Sequence, residues 1–125
     1  MAFNEFEEAL KNTDEIEITV TGRKSGRSIS SPVWFVQEGE KLYLLPVKGS
    51  DSDWYKNILK TPTMYLKAGG KERSAHVTPV ADKVKVRDIV EKFREKYGAD
   101  QVKKYYSKFD VAVDVPSSGT QRRSA

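Results

Sequence analysis

The chain contains no cysteine and only one histidine, His76. Disulfides, thiolate nucleophiles and cysteine-ligated metals are therefore excluded. With no serine in an elbow motif either, hydrolytic triads are excluded as well. No apolar run approaches the roughly 20 residues of a membrane span. The N-terminus lacks the basic-then-apolar pattern of a secretory signal, so a cytoplasmic protein with no membrane partner is expected. Positive charge is also modest, at a net +4 over 125 residues, which does not announce a nucleic-acid partner. A chain this long holds one core, and we expect a single domain over residues 1–115 with a disordered tail over 116–125.

What is present is charge gathered into short segments. The first 17 residues carry six acids against one lysine, Lys11. Gly22-Arg23-Lys24-Ser25-Gly26-Arg27 then packs three cations and two glycines between two runs that read as strands. A tight turn of that composition offers cationic side chains and free backbone N–H groups to an anion, and phosphate suits it best. A second basic turn, Lys48-Gly49-Ser50, ends a later strand just before a helix-like segment carrying Trp54 and Tyr55. A solvated hairpin is the plain alternative for the first turn. The two turns together favour anion binding by Arg23, Lys24, Arg27 and Lys48.

Phe3, Phe6 and Leu10 fall at helical spacing and predict a short helix over 3–12. Alternation at Ile16, Ile18 and Val20 predicts a strand, and 28–37, apolar on both faces, a more buried one that Pro32 interrupts or places at an edge. Glu38-Gly39-Glu40 reads as a hairpin turn leading to a third strand over 41–47. Ser50 and Asp53 have the spacing of a capping box opening a helix over 51–60, with Trp54, Tyr55, Ile58 and Leu59 on one face. Asp51 and Asp53 in its first turn blunt its dipole and would repel a phosphate, so side chains rather than the helix end should hold the anion. As a metal loop Asp51-Ser52-Asp53 has too few oxygen ligands, and no metal is expected.

Strands over 63–68 and 72–78 are joined by Gly69-Gly70, and helices are expected over 82–97, stopped by Gly98, and over 100–107. Phe109 to Val115 alternates as a last strand. The expected fold is mainly β within an α+β class: six antiparallel strands curled into a small barrel with flanking helices. Tyr97, Tyr105 and Tyr106 read either as helix packing or as a wall above a bound ligand. His76 reads as a rim or exposed residue.

Thr21 to Arg27, followed by Pro32-Val33-Trp34-Phe35, Lys48-Gly49-Ser50 and Trp54-Tyr55, resembles the deazaflavin-dependent nitroreductase family. That family lies within the split β-barrel superfamily of flavin and deazaflavin oxidoreductases related to pyridoxamine phosphate oxidase, and the likeness spans residues 13–115. It implies a six-stranded split barrel binding coenzyme F-420, with FMN the alternative. By that likeness Arg23, Lys24, Ser25, Gly26 and Arg27 would hold phosphate and tail carboxylates. Pro32, Val47, Lys48, Gly49, Ser50 and Trp54 would border the ring, and Tyr97, Tyr105 or Tyr106 would face a small-molecule acceptor. The implied enzyme passes a hydride to a quinone, nitro compound or enone, and the implied assembly is a homodimer. An FMN- or haem-type carrier without turnover stands as one alternative, and a nucleic-acid-binding barrel as another.

Overall fold

A computed structural model describes residues 8–11, 13–38 and 41–116. The expected N-terminal helix is described only over 8–11; residues 39–40 of the first hairpin turn and the tail over 117–125 lie outside the described residues. Among the described residues eight strands form: β1 (Ile16–Thr21), β2 (Ser28–Val33), β3 (Phe35–Glu38), β4 (Lys41–Leu44), β5 (Thr63–Ala68), β6 (Lys71–His76), β7 (Thr78–Val80) and β8 (Ala112–Pro116). Besides the helical residues 8–11, three helices accompany them among the described residues: α1 (Asp53–Lys60), α2 (Lys83–Tyr97) and α3 (Ala99–Tyr105).

All ladders are antiparallel and make two four-stranded sheets, ordered β2-β1-β5-β6 and β3-β4-β8-β7. The expected barrel of six strands is thus corrected to two sheets of four, with no ladder closing one onto the other among the described residues. Two of the six expected strands each break once, which accounts for the count of eight. Residues 28–38 pair with β1 up to Val33 and with β4 from Phe35, changing partner at Trp34. Residues 71–80 likewise pair with β5 and then β8, changing at Val77, whose N–H donates to the Pro62 carbonyl at 2.9 Å. Each broken ribbon carries the chain from one sheet to the other.

Between the sheets, Ile16, Ile18, Val20, Phe35, Leu42, Leu44, Met64, Leu66, Val113 and Val115 form one buried cluster, which Tyr55 and Ile58 of α1 join. The second sheet is apolar on its other face too, because α2 and α3 cover it: Val36, Tyr43, Leu45 and Ala112 meet Val86, Ile89, Val90, Phe93, Val102 and Tyr106. This double burial explains why β3 and β4 lack clean alternation. Asp82 caps α2 by accepting from the Lys85 N–H, and Gly98, at φ +96°, ends it. No helix among the described residues is long and apolar enough to cross a membrane.

The last strand starts later than alternation suggests, since Phe109, Asp110 and Val111 precede the ladder. The third expected strand ends at Leu44, two residues before Pro46, which cannot donate to a ladder.

Phe93 is fully buried where α2 crosses the second sheet. Phe93→Ala should therefore lower unfolding free energy by about 3–5 kcal/mol in urea titrations, while Val84→Ala on the exposed side of the same helix should change it by only a few tenths.

Candidate functional site

The basic turn joins β1 to β2 and closes on itself: the Gly22 N–H donates to the Arg27 carbonyl at 2.8 Å, and the Gly26 N–H to the Gly22 carbonyl at 2.9 Å. Gly26 takes φ +73° at the corner, and Ser25 Oγ accepts from the Arg27 N–H at 3.1 Å. The turn does not stand free in solvent. Asn57 of α1 accepts from the Arg23 backbone N–H at 3.0 Å and from Arg23 Nη1 at 2.8 Å, both through Oδ1. Lys60 Nζ donates to the Arg23 carbonyl at 3.0 Å, and Arg23 Nη2 lies 3.6 Å from an Asp53 carboxylate oxygen. The hairpin is thereby docked on one flank of the helix.

Asn57 was not among the expected site residues, yet it is only 3% exposed, whereas Leu59, expected on the buried face, is 55% exposed. Both flank Ile58, about 100° to either side on an ideal helix, so periodicity alone treats them alike. Arg23 breaks the tie by supplying donors to the amide side. The readable signal was a polar residue beside an apolar stripe with a cationic turn elsewhere. Asn57 Nδ2 donates to no described residue, although the side chain is buried and lines the adjoining cleft.

That cleft has two chambers. The outer one, about 480 Å³, is lined by Gly22, Arg23, Lys24, Ser25, Ile29 and Asn57. The inner one, about 310 Å³, is lined by Pro32, Trp34, Val47, Lys48, Tyr105 and Tyr106, among others. Ser31, Asp53 and Trp54 belong to both linings and so form the wall between them. The outer lining sets Arg23 and Lys24 beside Asp53, Ile29 and Trp54, and the inner one sets four aromatic rings, Trp34, Trp54, Tyr105 and Tyr106, beside Lys48, Asp51 and Asp53.

The second basic turn is fixed from beneath. Gly49 adopts φ +57°, a conformation L side chains rarely take, and a Cβ there would run into the Asp110 carboxylate, so glycine is strongly favoured. Ser50 donates to Asp110 through its N–H at 2.9 Å and through its hydroxyl, and Lys108 reaches Asp51 at 3.1 Å. Ser107 clasps the Val47 carbonyl with its N–H at 2.9 Å and its hydroxyl at 3.1 Å. The expected capping box is corrected here. Gly49–Asp51 forms a separate 3-10 turn, and the N-cap of α1 is Ser52, whose Oγ accepts from the Lys48 N–H at 2.8 Å instead of capping the helix. Gly49 and Ser50 consequently face the 107–110 loop and do not line the chambers, and neither do Gly26 and Arg27.

The three tyrosines separate in space. Tyr97 packs behind Trp34, with ring centroids 4.2 Å apart and planes at 9°, and Tyr105 stacks on Trp34 at 4.6 Å. The Tyr97 hydroxyl accepts from the Phe35 N–H at 3.1 Å and lies 2.7 Å from the Asp14 carbonyl, which ties the ribbon corner to the end of α2. Burial pushes its ionisation up to about 12, against the opposing hydrogen bond from the Phe35 N–H. Tyr97 lines neither chamber. Tyr106 lines the inner one at 4% exposure, and its hydroxyl has no hydrogen-bond partner among the described residues. Burial raises its ionisation far above the ordinary range, so it stands as a neutral O–H donor. His76 is exposed on β6 and lines neither chamber. Among the described residues no group of three or more His, Asp or Glu could hold a metal.

Asp110 gives a pH test. Burial pushes its carboxyl up, but the two Ser50 donors and Lys108 outweigh this and hold it below its ordinary value. A depressed folded pKa stabilises above the unfolded value of about 4, and that stabilisation is lost as pH falls through the folded value. Acid unfolding should therefore flatten in Asp110→Asn relative to the native chain, as followed by circular dichroism from pH 5 downward. Separately, Asn57→Ala leaves the Arg23 N–H unpaired and should destabilise the fold by about 1–3 kcal/mol in denaturant titrations.

This architecture recurs in solved structures. The chain is similar to an F420-H2 dependent reductase, FDR-A, with a TM-score of 0.63 and 21% identity over 82% of this chain and 93% of that one. A chain described as a domain-swapped dimer gives 0.65 and 20% identity over 90% of this chain and 94% of that one. The heme storage protein HutZ from Vibrio cholerae gives 0.66 and 14% identity over 90% and 87%. At these identities the likeness establishes a shared fold. No curated protein matches the chain by sequence. A family model does match, across residues 7–113, and the chain therefore belongs to the family described as uncharacterized protein conserved in bacteria, DUF2255.

Proposed function

We propose that the protein is an oxidoreductase that holds a phosphorylated deazaflavin or flavin across the two-chamber cleft, with coenzyme F-420 the first candidate and FMN the second. The carrying observation is the wall, with Trp54 in it, shared by a chamber that holds Arg23 and Lys24 and a chamber that holds Trp34, Tyr105 and Tyr106. A ligand spanning that wall needs an anionic group on one side and a flat apolar one on the other. The unpartnered Asn57 Nδ2 in the outer chamber and the unpartnered Tyr106 hydroxyl in the inner one fit such a ligand, because each leaves a buried donor to be satisfied.

In this reading Lys24 and Asn57 hold the phosphate, and Lys48 borders the ring from the β4–α1 turn. Neither lysine has a side-chain ion pair among the described residues. Arg23 contributes less directly: its guanidinium is already bound to Asn57 and Asp53, so it orients the amide and neutralises the acid. Asp51 is balanced by Lys108, which removes much of the repulsion its place in the lining implies. The bound cofactor would supply the hydride, and the acceptor would be an electron-poor small molecule such as a quinone, nitro compound or enone. Tyr105 and Tyr106 wall the acceptor's side, and the neutral Tyr106 hydroxyl offers a hydrogen bond to a developing oxyanion. The assembly in this reading is a homodimer, supported by the domain-swapped dimer among its structural relatives.

HutZ raises a haem reading, but the one histidine of this chain sits outside both chambers. A flavin or deazaflavin asks less of the residues present. Titration of the protein with F-420 and with FMN, followed by absorbance and fluorescence, should give saturable binding of one of them. Lys24→Ala and Lys48→Ala should each weaken it about tenfold. Binding unaltered by either change would overturn the site assignment, and absence of binding to both would overturn the cofactor class.

A further inference from the structure

A third cavity lies outside the cleft, between α2 and the 109–110 loop, with a volume of about 400 Å³. Its floor is apolar: Val86 and Val90 from the helix and Phe109, which remains 37% exposed despite its size. Its rim is cationic, with Lys83, Arg87 and Arg94 spaced along one flank of α2. Arg94 pairs with Glu91 and also lies 6.0 Å from the Phe109 ring centre. Lys83 and Arg87 have no carboxylate partner among the described residues. Asp110 is the one acid in the lining, and two Ser50 donors and Lys108 at 3.7 Å already engage it.

We infer that this groove binds an amphiphilic monoanion, a carboxylate carried on an apolar chain or ring. The floor recovers the energy of covering Phe109, and the acid group meets Arg87 and Lys83 at the rim. Charge decides the class. A neutral apolar molecule would leave two unpaired cations beside it, and a cationic amphiphile would be repelled by the same two. The volume falls within the usual range for small-ligand sites, about 300–1,000 Å³, and it is too small for a macromolecular partner to enter. The groove adjoins the cleft where the Tyr106 and Phe109 rings lie 6.0 Å apart and where Lys108 bridges Asp110 to Asp51, but it shares no lining residue with either chamber. The inference therefore stands apart from the cofactor reading.

Decanoate, kept below the concentration at which it forms micelles, serves as the probe by calorimetry, with decanol and decyltrimethylammonium as controls. Expected is saturable decanoate binding by the native chain that falls about tenfold in Arg87→Glu and in Phe109→Ser, with no binding of the ammonium. Both variants alter exposed positions, and unchanged thermal unfolding verifies that they fold. Equal affinity for decanol and decanoate would reduce the groove to a plain apolar patch and overturn the inference. Absence of saturable decanoate binding, or binding that Arg87→Glu leaves unaltered, would overturn it too.

Discussion

One buried amide organises the working end of this molecule. Asn57 accepts twice from Arg23, once from the backbone and once from the guanidinium, and both bonds lie at 3.0 Å or less. Without a partner, a polar side chain at 3% exposure would cost about 1–3 kcal/mol. With Arg23 as partner it becomes the hinge pin between hairpin and helix. The position of the cationic turn, the orientation of α1 and the shape of the outer chamber all depend on it.

From that pin the electrostatics of the cleft follow. Arg23 is drawn toward Asp53 and Asn57, so it is no longer a free counter-ion. Lys108 is drawn toward Asp51 and Asp110, which anchors the β4–α1 turn and leaves Lys48 unpaired beside the inner chamber. Asp51, just before α1, and Asp53, at its start, are thus matched by cations from two distant parts of the chain. Among the described residues Lys24 and Lys48 have no carboxylate partner, and the Asn57 amide N–H and the Tyr106 hydroxyl have no acceptor; the proposed ligand would engage these groups. The aromatic side rests on a different support. Trp34, at the corner where a ribbon passes between sheets, is stacked between Tyr97 and Tyr105, and Tyr97 is fixed by backbone groups of Asp14 and Phe35. A rigid corner makes a rigid wall.

Much of the scaffold was legible in residue order. Gly69-Gly70 and the alternation around it gave β5 and β6, and Val86, Ile89, Val90 and Phe93 gave the buried face of α2. The breaks at Trp34 and Val77 were not legible, because a change of ladder partner leaves no mark on local hydrophobicity. The start of α1 was misjudged for a similar reason. Ser50 has the residue type of a cap, but Asp110, sixty residues away, claims its hydroxyl and the space above Gly49. At the site, the charged turns and Trp54 could be read directly as candidates. Their division between ligand and structure could not, since it depends on which carboxylate folds beside which cation. Asn57 was hidden by the symmetry of its place around Ile58.

The central claim is that a planar ring and an anion are held together across Trp54. A Trp34→Phe protein keeps an aromatic ring in the corner stack and leaves Trp54 as the sole indole. Its fluorescence, titrated with F-420 and with FMN, should be quenched saturably by the ligand that binds, and inorganic phosphate should compete. A ligand that binds this protein while Trp54 emission stays unchanged would contradict the account.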